Sequence, residues 1–381
     1  MENRRLKIGI LFNFSSKWMG GVIYIINVIK TLDFLEDSEK PEIFLFYRPE
    51  LSRFLDEMKY PYLNTIEWTF PSMIKGSVKS MLIRKNLFIE DILSKYPLDA
   101  VYPLQDYPVR INTKTKLVSW CADFQQNHYP EFFTKMQRTG RNMRTKLAMR
   151  NTNDLVLSSN DAYSDLKKFF NVPGKLKIHI FHFVSVIDNL EDLNINDLRL
   201  KYNLPEKYFL VSNQFHRHKN HKVLLLSLVK LKEMGIMIHI GMTGKLPDAS
   251  DSPYITELHR LIDDNNLHDQ ISLLGVISRN DQLQLMRHAQ AVIQPSLFEG
   301  WSTVIEDAKS LQVPVIASSL KVNIEQLGEK GVYFDPHKPE ELTSLLINYP
   351  ERNLNDVFYE EYSVRIKTAA KELREILNPA S

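Results

Sequence analysis

Disulfides are the first thing this chain cannot be built on. It has one cysteine, Cys121, which excludes an internal cross-linked framework and suits a reducing compartment. Long apolar runs are missing too. Arg4, Arg5 and Lys7 are followed by an apolar run of only Ile8 to Phe12, too short for a signal-peptide core or a membrane span. No run of about 18 apolar residues occurs anywhere. The protein is therefore expected in the cytoplasm, or attached to a membrane only at its surface. There is no G-x-G-x-x-G fingerprint, so a Rossmann dehydrogenase gains little support. There is no Asp-x-Asp pair to hold a divalent ion, and neither a metal nor a cofactor is expected. No helix-turn-helix, zinc or RNP-type pattern is present, which argues against nucleic acid. Internal repeats and low-complexity tracts are absent as well.

What is present is a soluble composition, 44% hydrophobic and 25% charged with a net charge of +2, so any basic surface must be local. The 381 residues are too many for one ordinary core and suit two domains. Leu6 to Phe12 reads as a buried strand, followed by a loop from Asn13 to Met19, the pair Gly20-Gly21, and a helix from Val22 to Leu32. Two glycines at a helix start let backbone N–H groups approach a ligand; equally, they can serve a turn that needs positive φ. Strands are expected at Ile43 to Tyr47, Ala100 to Tyr102, Leu117 to Trp120 and Leu155 to Ser158, and helices at 87–95 and 161–170. Asp123 and His128 lie just past a strand end, where α/β domains place ligands. An Asx turn is the structural alternative for Asp123. We assign function to Asp123 and plain exposure to His128.

Two segments carry basic charge without any acid. Met73 to Lys85 holds Lys75, Lys79, Arg84 and Lys85 among apolar residues, and Thr134 to Arg150 holds six cations. Such patches attract anionic lipid head groups or phosphorylated ligands, although each can also be a solvated helix face.

Alternation of strand and helix resumes after a connection poor in strand pattern. The expected division is a first domain at 1–190, a linker at 191–206 and a second domain at 207–354. A charged helical segment at about 355–381 is expected to pack back on the first domain. Strands are expected at Tyr208 to Ser212, Met237 to Thr243, Ile271 to Leu274, Ala291 to Ile293, Val313 to Ala317 and Val332 to Phe334. This pattern implies a parallel sheet covered on both faces, and ligand loops in both domains imply a cleft between them. The loop Asn213-Gln214-Phe215-His216-Arg217-His218-Lys219 is crowded with donors, and Lys219 near a helix start suits phosphate. His216, His218 and His221 lack a partner Cys or carboxylate, so they do not read as a zinc site.

The most informative stretch is Gln294 to Lys309. It reads as a strand end, a polar loop and a helix beginning at Ser302 or Thr303. A helix N-terminus favours an anion. Glu299 beside it repels one, so this acid is expected to bind hydroxyls on an uncharged part of the same ligand. A sugar joined to a diphosphate fits. Thr303 and Glu306 have capping-box spacing, which turns Glu306 away from the apolar face and makes Asp307 the better ligand-binding acid.

At these residues the chain resembles retaining GT-B glycosyltransferases of the large family that includes glycogen synthase-like and mannosyltransferase-like enzymes. The family's two carboxylates, with seven residues between them, match Glu299 and Asp307 in the run Glu299-Gly300-Trp301-Ser302-Thr303-Val304-Ile305-Glu306-Asp307-Ala308. The resemblance implies two Rossmann-like domains facing each other and a nucleotide-diphospho-sugar donor. It also implies that Glu299 contacts the donor sugar, that Asp307 holds the ribose, and that the Ser302 and Thr303 amides hold the distal phosphate. Gly20-Gly21 matches the glycine loop near the diphosphate, and Lys219 the phosphate-binding lysine. Asn213, Gln214, Arg217, Gly300 and Trp301 complete the expected donor site; Glu299, Lys219 and Asp123 are the expected catalytic groups. The chain departs from the pattern at Gln214, where the family has an arginine that Arg217 could replace. It departs again at Gln312, where a small residue is usual, and at Ala122, which stands in place of a histidine. The expected activity is sugar transfer with retention to a glycan or lipid-linked acceptor in cell-surface polysaccharide or glycolipid assembly, with surface contact to an anionic membrane. The alternatives are a GT-B-like binding partner without turnover and, fitting the acid pattern less well, a sugar-nucleotide epimerase.

Overall fold

Short apolar runs bounded by polar loops become the strands of two wholly parallel sheets. The computed structural model describes residues 4–380 except Lys17, Asp188, Asn189, Glu191 and Asp192. The chain divides into one unit of Met1–Val186 with Ser363–Ser381 and another of Ile187–Tyr362. The first holds β1 (Lys7–Phe12), β2 (Glu42–Tyr47), β3 (Leu63–Glu67), β4 (Ala100–Leu104), β5 (Lys116–Cys121), β6 (Asp154–Leu157) and β7 (Lys177–Ile180), in the order β3-β2-β1-β4-β5-β6-β7. The second holds β8 (Phe209–Val211), β9 (Ile240–Thr243), β10 (Ile271–Gly275), β11 (Val292–Gln294), β12 (Val315–Ser318) and β13 (Val332–Phe334), in the order β10-β9-β8-β11-β12-β13.

The pleat sorts alternate residues onto two apolar layers. Phe209 and Val211 pack with Leu224 and Leu228 on one face of the second sheet. Tyr208 and Leu210 pack with Ile305 and Ala308 on the other. Each sheet is thus covered on both sides, the doubly wound α/β class that the alternation predicts. Strand order reverses once in each sheet, between β1 and β4 and between β8 and β11. Beyond the carboxyl ends of the strands at such a reversal, a doubly wound sheet leaves room for a ligand. The loops after β8 and β11 hold Lys219 and Glu299.

Three local expectations need correction. The first helix runs Met19–Leu32, so Gly20 and Gly21 lie in its first turn rather than in a loop ahead of it. Neither has positive φ. What requires a missing side chain at Gly21 is the Trp18 indole, which a Cβ there would meet at 2.6 Å. The helix placed at 87–95 begins only at Glu90, and the strand placed at Met237 begins at Ile240. The expected linker starts at Glu191 and Asp192, outside the described residues. Its remainder carries helix Ile195–Lys201, whose Leu198 is buried in the second unit's core. The last helix, Tyr362–Leu377, sends Arg374 to the Glu39 carbonyl at 3.1 Å, and Lys116 reaches the Asn378 carbonyl at 3.0 Å.

Candidate functional site

In the second unit the loops after β8 and β11 are stitched together by their own backbone. The Leu297 N–H donates to the His218 carbonyl at 2.7 Å. Asn220, left-handed at φ 56°, sends its side-chain amide to the carbonyls of Pro295 at 3.1 Å and Pro336 at 2.9 Å. Asparagine tolerates that backbone better than most residues.

This frame sets Glu299 against Lys219. Lys219 Nζ, Gln294 Nε2 and Ser296 Oγ each donate to Glu299 Oε1 at 2.6 Å. Gln294 is fully buried and accepts from Asn213 Nδ2 at 3.0 Å, so the chain of bonds runs back to the end of β8. All three donors converge on one oxygen. Among the described residues, nothing donates to Oε2. Burial opposes ionisation of Glu299, but the Lys219 charge and hydrogen bond, helped by Ser296, outweigh it and hold the carboxyl below its usual range. The result is an ionised carboxylate fixed in position with one oxygen left to accept. Lys219 has three donors and uses one on Glu299, leaving two for a ligand.

The helix after the acid runs Thr303–Ser310, and its cap is Ser302, whose hydroxyl accepts the Ile305 N–H at 3.3 Å. The expected Thr303–Glu306 capping box does not form: the cap is one residue earlier, and Ile305 at the third helical position has no acceptor to return the bond. Glu306 does not face water: it is 1% exposed, bound to Gln326 Nε2 at 2.8 Å and Lys309 Nζ at 3.1 Å. The Ser302 N–H, expected to serve an anion, donates to Gln326 Oε1 at 3.1 Å. The first-turn amides of Thr303 and Val304, which have no intrahelical acceptor, are the ones the helix end presents. Gly300 and Trp301 form the half-buried turn between Glu299 and this cap.

Asp307 is also 1% exposed. Arg279 grips it with both terminal nitrogens, Nη1 to Oδ2 at 2.6 Å and Nη2 to Oδ1, the bidentate geometry in which arginine exceeds lysine. Arg279, Gln294, Ser296 and Gln326 escaped the sequence reading. Gln294 and Ser296 lay within the quoted run, but the partners of the others sit 20 to 28 positions away, beyond any local spacing. The exposed Gln214 is bonded to His216 at 2.8 Å. Arg217, on the turn Arg217–Lys219, is exposed. His221 is fully buried against Phe215; burial first, and the Lys219 charge second, push its pKa down to about 3. No group of three or more His, Cys, Asp or Glu among the described residues could hold a metal ion.

Gln312 has φ 55°, which explains why a small residue suits this place: a left-handed residue with a Cβ costs about 1 kcal/mol. Its side chain offsets that cost by accepting the N–H groups of Phe358 and Tyr359 at 2.9 and 2.8 Å.

The first unit presents a different surface. Trp18 stacks on Trp120 at 5.9 Å, and Trp120 stacks on Tyr24 at 4.1 Å. These rings bridge the glycine turn and the Asp123 loop. Asp123 does form the Asx turn, accepting the Gln125 N–H at 3.1 Å, and it also pairs with Arg141 at 3.0 Å. His128, exposed as expected, bonds Asp165 at 2.7 Å. Burial raises the Cys121 thiol to about 12, which makes it a poor nucleophile.

Residues 195–372 match the family model described as glycosyl transferases group 1. The O-antigen chain mannosyltransferase RfbU of Salmonella typhimurium is 25% identical over 227 residues, which is 59% of this chain but only 58% of RfbU. A glycosyltransferase of Methanocaldococcus jannaschii, MJ1059, is 24% identical across 93% of this chain and 82% of its own. Among solved structures, Anabaena Alr3699/HepE in complex with UDP and glucose superposes with a TM-score of 0.64 at 18% identity, covering 98% of this chain and 95% of that one. Two parallel α/β sheets of this kind are the GT-B fold. Through residues 195–372, a little under half of its length, this chain is similar to the glycosyl transferases group 1 family.

Proposed function

We propose that this protein transfers a sugar from a nucleotide-diphospho-sugar to a hydroxyl acceptor with retained anomeric configuration. One observation carries the reading: a nearly buried, ionised Glu299 with its Oε1 saturated and its Oε2 open, bonded to Lys219 and just ahead of a helix N-terminus. An acceptor-only oxygen suits the hydroxyls of the donor sugar. As the bond from the anomeric carbon to the phosphate oxygen breaks, charge grows on the diphosphate. Lys219, Arg217 and the amides of Thr303 and Val304 supply positive charge there, so the reading calls on no metal and no cofactor. Asp307, oriented by Arg279, takes the ribose. Asn213 and Gln294 hold Glu299 in place. Asp123 serves the acceptor side, in a domain of about residues 1–190. The donor side is the domain of about 207–354.

A UDP-hexose is the first donor to try, because HepE was solved with UDP and glucose. The RfbU name supports an acceptor in cell-surface polysaccharide or glycolipid assembly, glycan or lipid-linked, with the protein in the cytoplasm and touching a membrane at its surface. Among the described residues no helix is long and apolar enough to cross one. The test is Glu299→Ala, which should lower transfer by on the order of a thousandfold with an unchanged melting curve; near-normal turnover sinks the assignment. A second reading, a binding partner without turnover, is favoured by Gln214, which is occupied with His216 where the family has an arginine. Slow donor hydrolysis that disappears in the Glu299 variant would exclude it.

A further inference from the structure

Helix Met73–Ile83 is packed the wrong way round for a helix facing water. Its buried residues are Gly76 and Ser80, four apart and so on one face. The fit on that face is tight. A Cβ on Gly76 would lie 2.7 Å from Pro71 and 2.9 Å from the Phe88 ring, and Ser80 Oγ accepts the Leu87 N–H at 3.1 Å. The small residues hold the helix down and the large ones point out. Ile74 and Leu82 are 74% and 79% exposed, and Met73, Val78, Met81 and Ile83 are exposed as well.

Cations fringe this apolar surface: Lys75 and Lys79 within the helix, Arg84 as its left-handed cap, and Lys85 after it. No Asp or Glu lies between Glu67 and Glu90, and none of the four cations pairs with an acid among the described residues. The other basic segment is different. In helix Lys135–Asn151, Arg141 is paired with Asp123 at 3.0 Å and Arg144 with Asp106 at 3.1 Å, and only Met136 and Met143 are large, apolar and exposed. The structure thus separates two stretches that look alike in sequence. A patch of six large apolar side chains on one short helix calls for a cover, and its unpaired positive rim calls for an anionic one. A second copy of the chain would set like charges together. A bilayer with anionic head groups meets both demands.

We propose that helix Met73–Ile83 docks the first unit on an anionic bilayer, with Ile74 and Leu82 entering the boundary between head groups and acyl chains and Lys75, Lys79, Arg84 and Lys85 on the lipid phosphates. This names the element and the lipid chemistry behind the membrane contact proposed above, and it rests on that reading for its purpose; its test needs no turnover.

The experiment is co-sedimentation with vesicles of phosphatidylglycerol and phosphatidylcholine, or of phosphatidylcholine alone. The protein should bind the first and not the second. Ile74→Ser with Leu82→Ser should weaken binding about tenfold or more. Lys75→Gln with Lys79→Gln should weaken it severalfold and flatten its salt dependence, and this pair serves if the serine pair fails to fold. Lys146→Gln with Arg150→Gln, on the other basic helix, should change nothing. Undiminished binding by the folded variants, or a wild-type protein that ignores both vesicles, overturns the proposal. So does a wild-type dimer in sedimentation velocity that the serine pair abolishes, which would make a second copy the cover. A UDP-glucose thermal shift keeps the two readings apart. Vesicle failure with an intact shift removes only the docking; vesicle binding without a shift removes the donor site instead.

Discussion

The loops after β1 and after β8 occupy equivalent places, each at the strand-order reversal of a doubly wound sheet, yet they are built from opposite materials. After β8 the loop carries Asn213, tied through Gln294 to Glu299, and Lys219, tied to Glu299 directly, a polar network that leaves Glu299 Oε2 and two Lys219 donors open. After β1 the loop carries Phe14, set edge-on to Trp18, and Trp18 itself, stacked on Trp120, which stacks on Tyr24. Charge and hydrogen-bond geometry discriminate sharply and tolerate little displacement. Aromatic faces offer broad contact to the apolar side of a ring and tolerate more. One architecture can therefore hold an obligatory group in one place and an adjustable one in another.

That contrast can be broken by substitution. Lys219→Met should cost the largest factor left, on the order of a hundredfold in transfer, with the donor thermal shift also reduced. A donor shift of full size in that variant would remove Lys219 from the phosphate. The aromatic loop should yield less. Trp18→Ala and Gly21→Ala should each lower transfer by about tenfold through the acceptor KM, leaving donor hydrolysis intact. The two agree only if Gly21 exists to house the indole, which a Cβ would strike at 2.6 Å. The Gly21 N–H is itself given to the Trp18 carbonyl at 3.1 Å, and a harmless Trp18→Ala beside a damaging Gly21→Ala ends the comparison.

The smallest effect concerns stability. Buried His221 has its pKa pushed down to about 3, against about 6.5 unfolded. Between those values the unfolded chain binds a proton that the folded chain refuses, so stability rises with pH from about 3 to 6.5 and levels off above. His221→Leu should make the slope of urea-unfolding free energy against pH shallower over that range. An unchanged slope would place the titration elsewhere.

How much of this could be read from the residues follows from which interactions are local. The run from Gln294 to Asp307 was legible because strand, acid, cap and helix are consecutive. Arg279 was not, because its partner Asp307 lies 28 residues on. Strands β3 and β7 went unread for a related reason: both are sheet edges, half exposed and lacking the continuous apolar run that marked β1 and β4. Gln312 was flagged only as a departure, since its left-handed φ and its bonds to Phe358 and Tyr359 appear only once the chain is folded. For Met73 to Ile83 the composition was plain and the direction was not. Apolar spacing suggests which residues share a face, and only packing decides whether that face looks inward.

One consequence of the Glu299 arrangement concerns substrate analogues. An oxygen that can only accept does not measure the size of what meets it; it asks whether a hydrogen is offered. A donor sugar carrying fluorine or nothing in place of the hydroxyl opposite Oε2 would fit the same space and still leave a buried negative charge unanswered, a loss that no improvement in shape makes good.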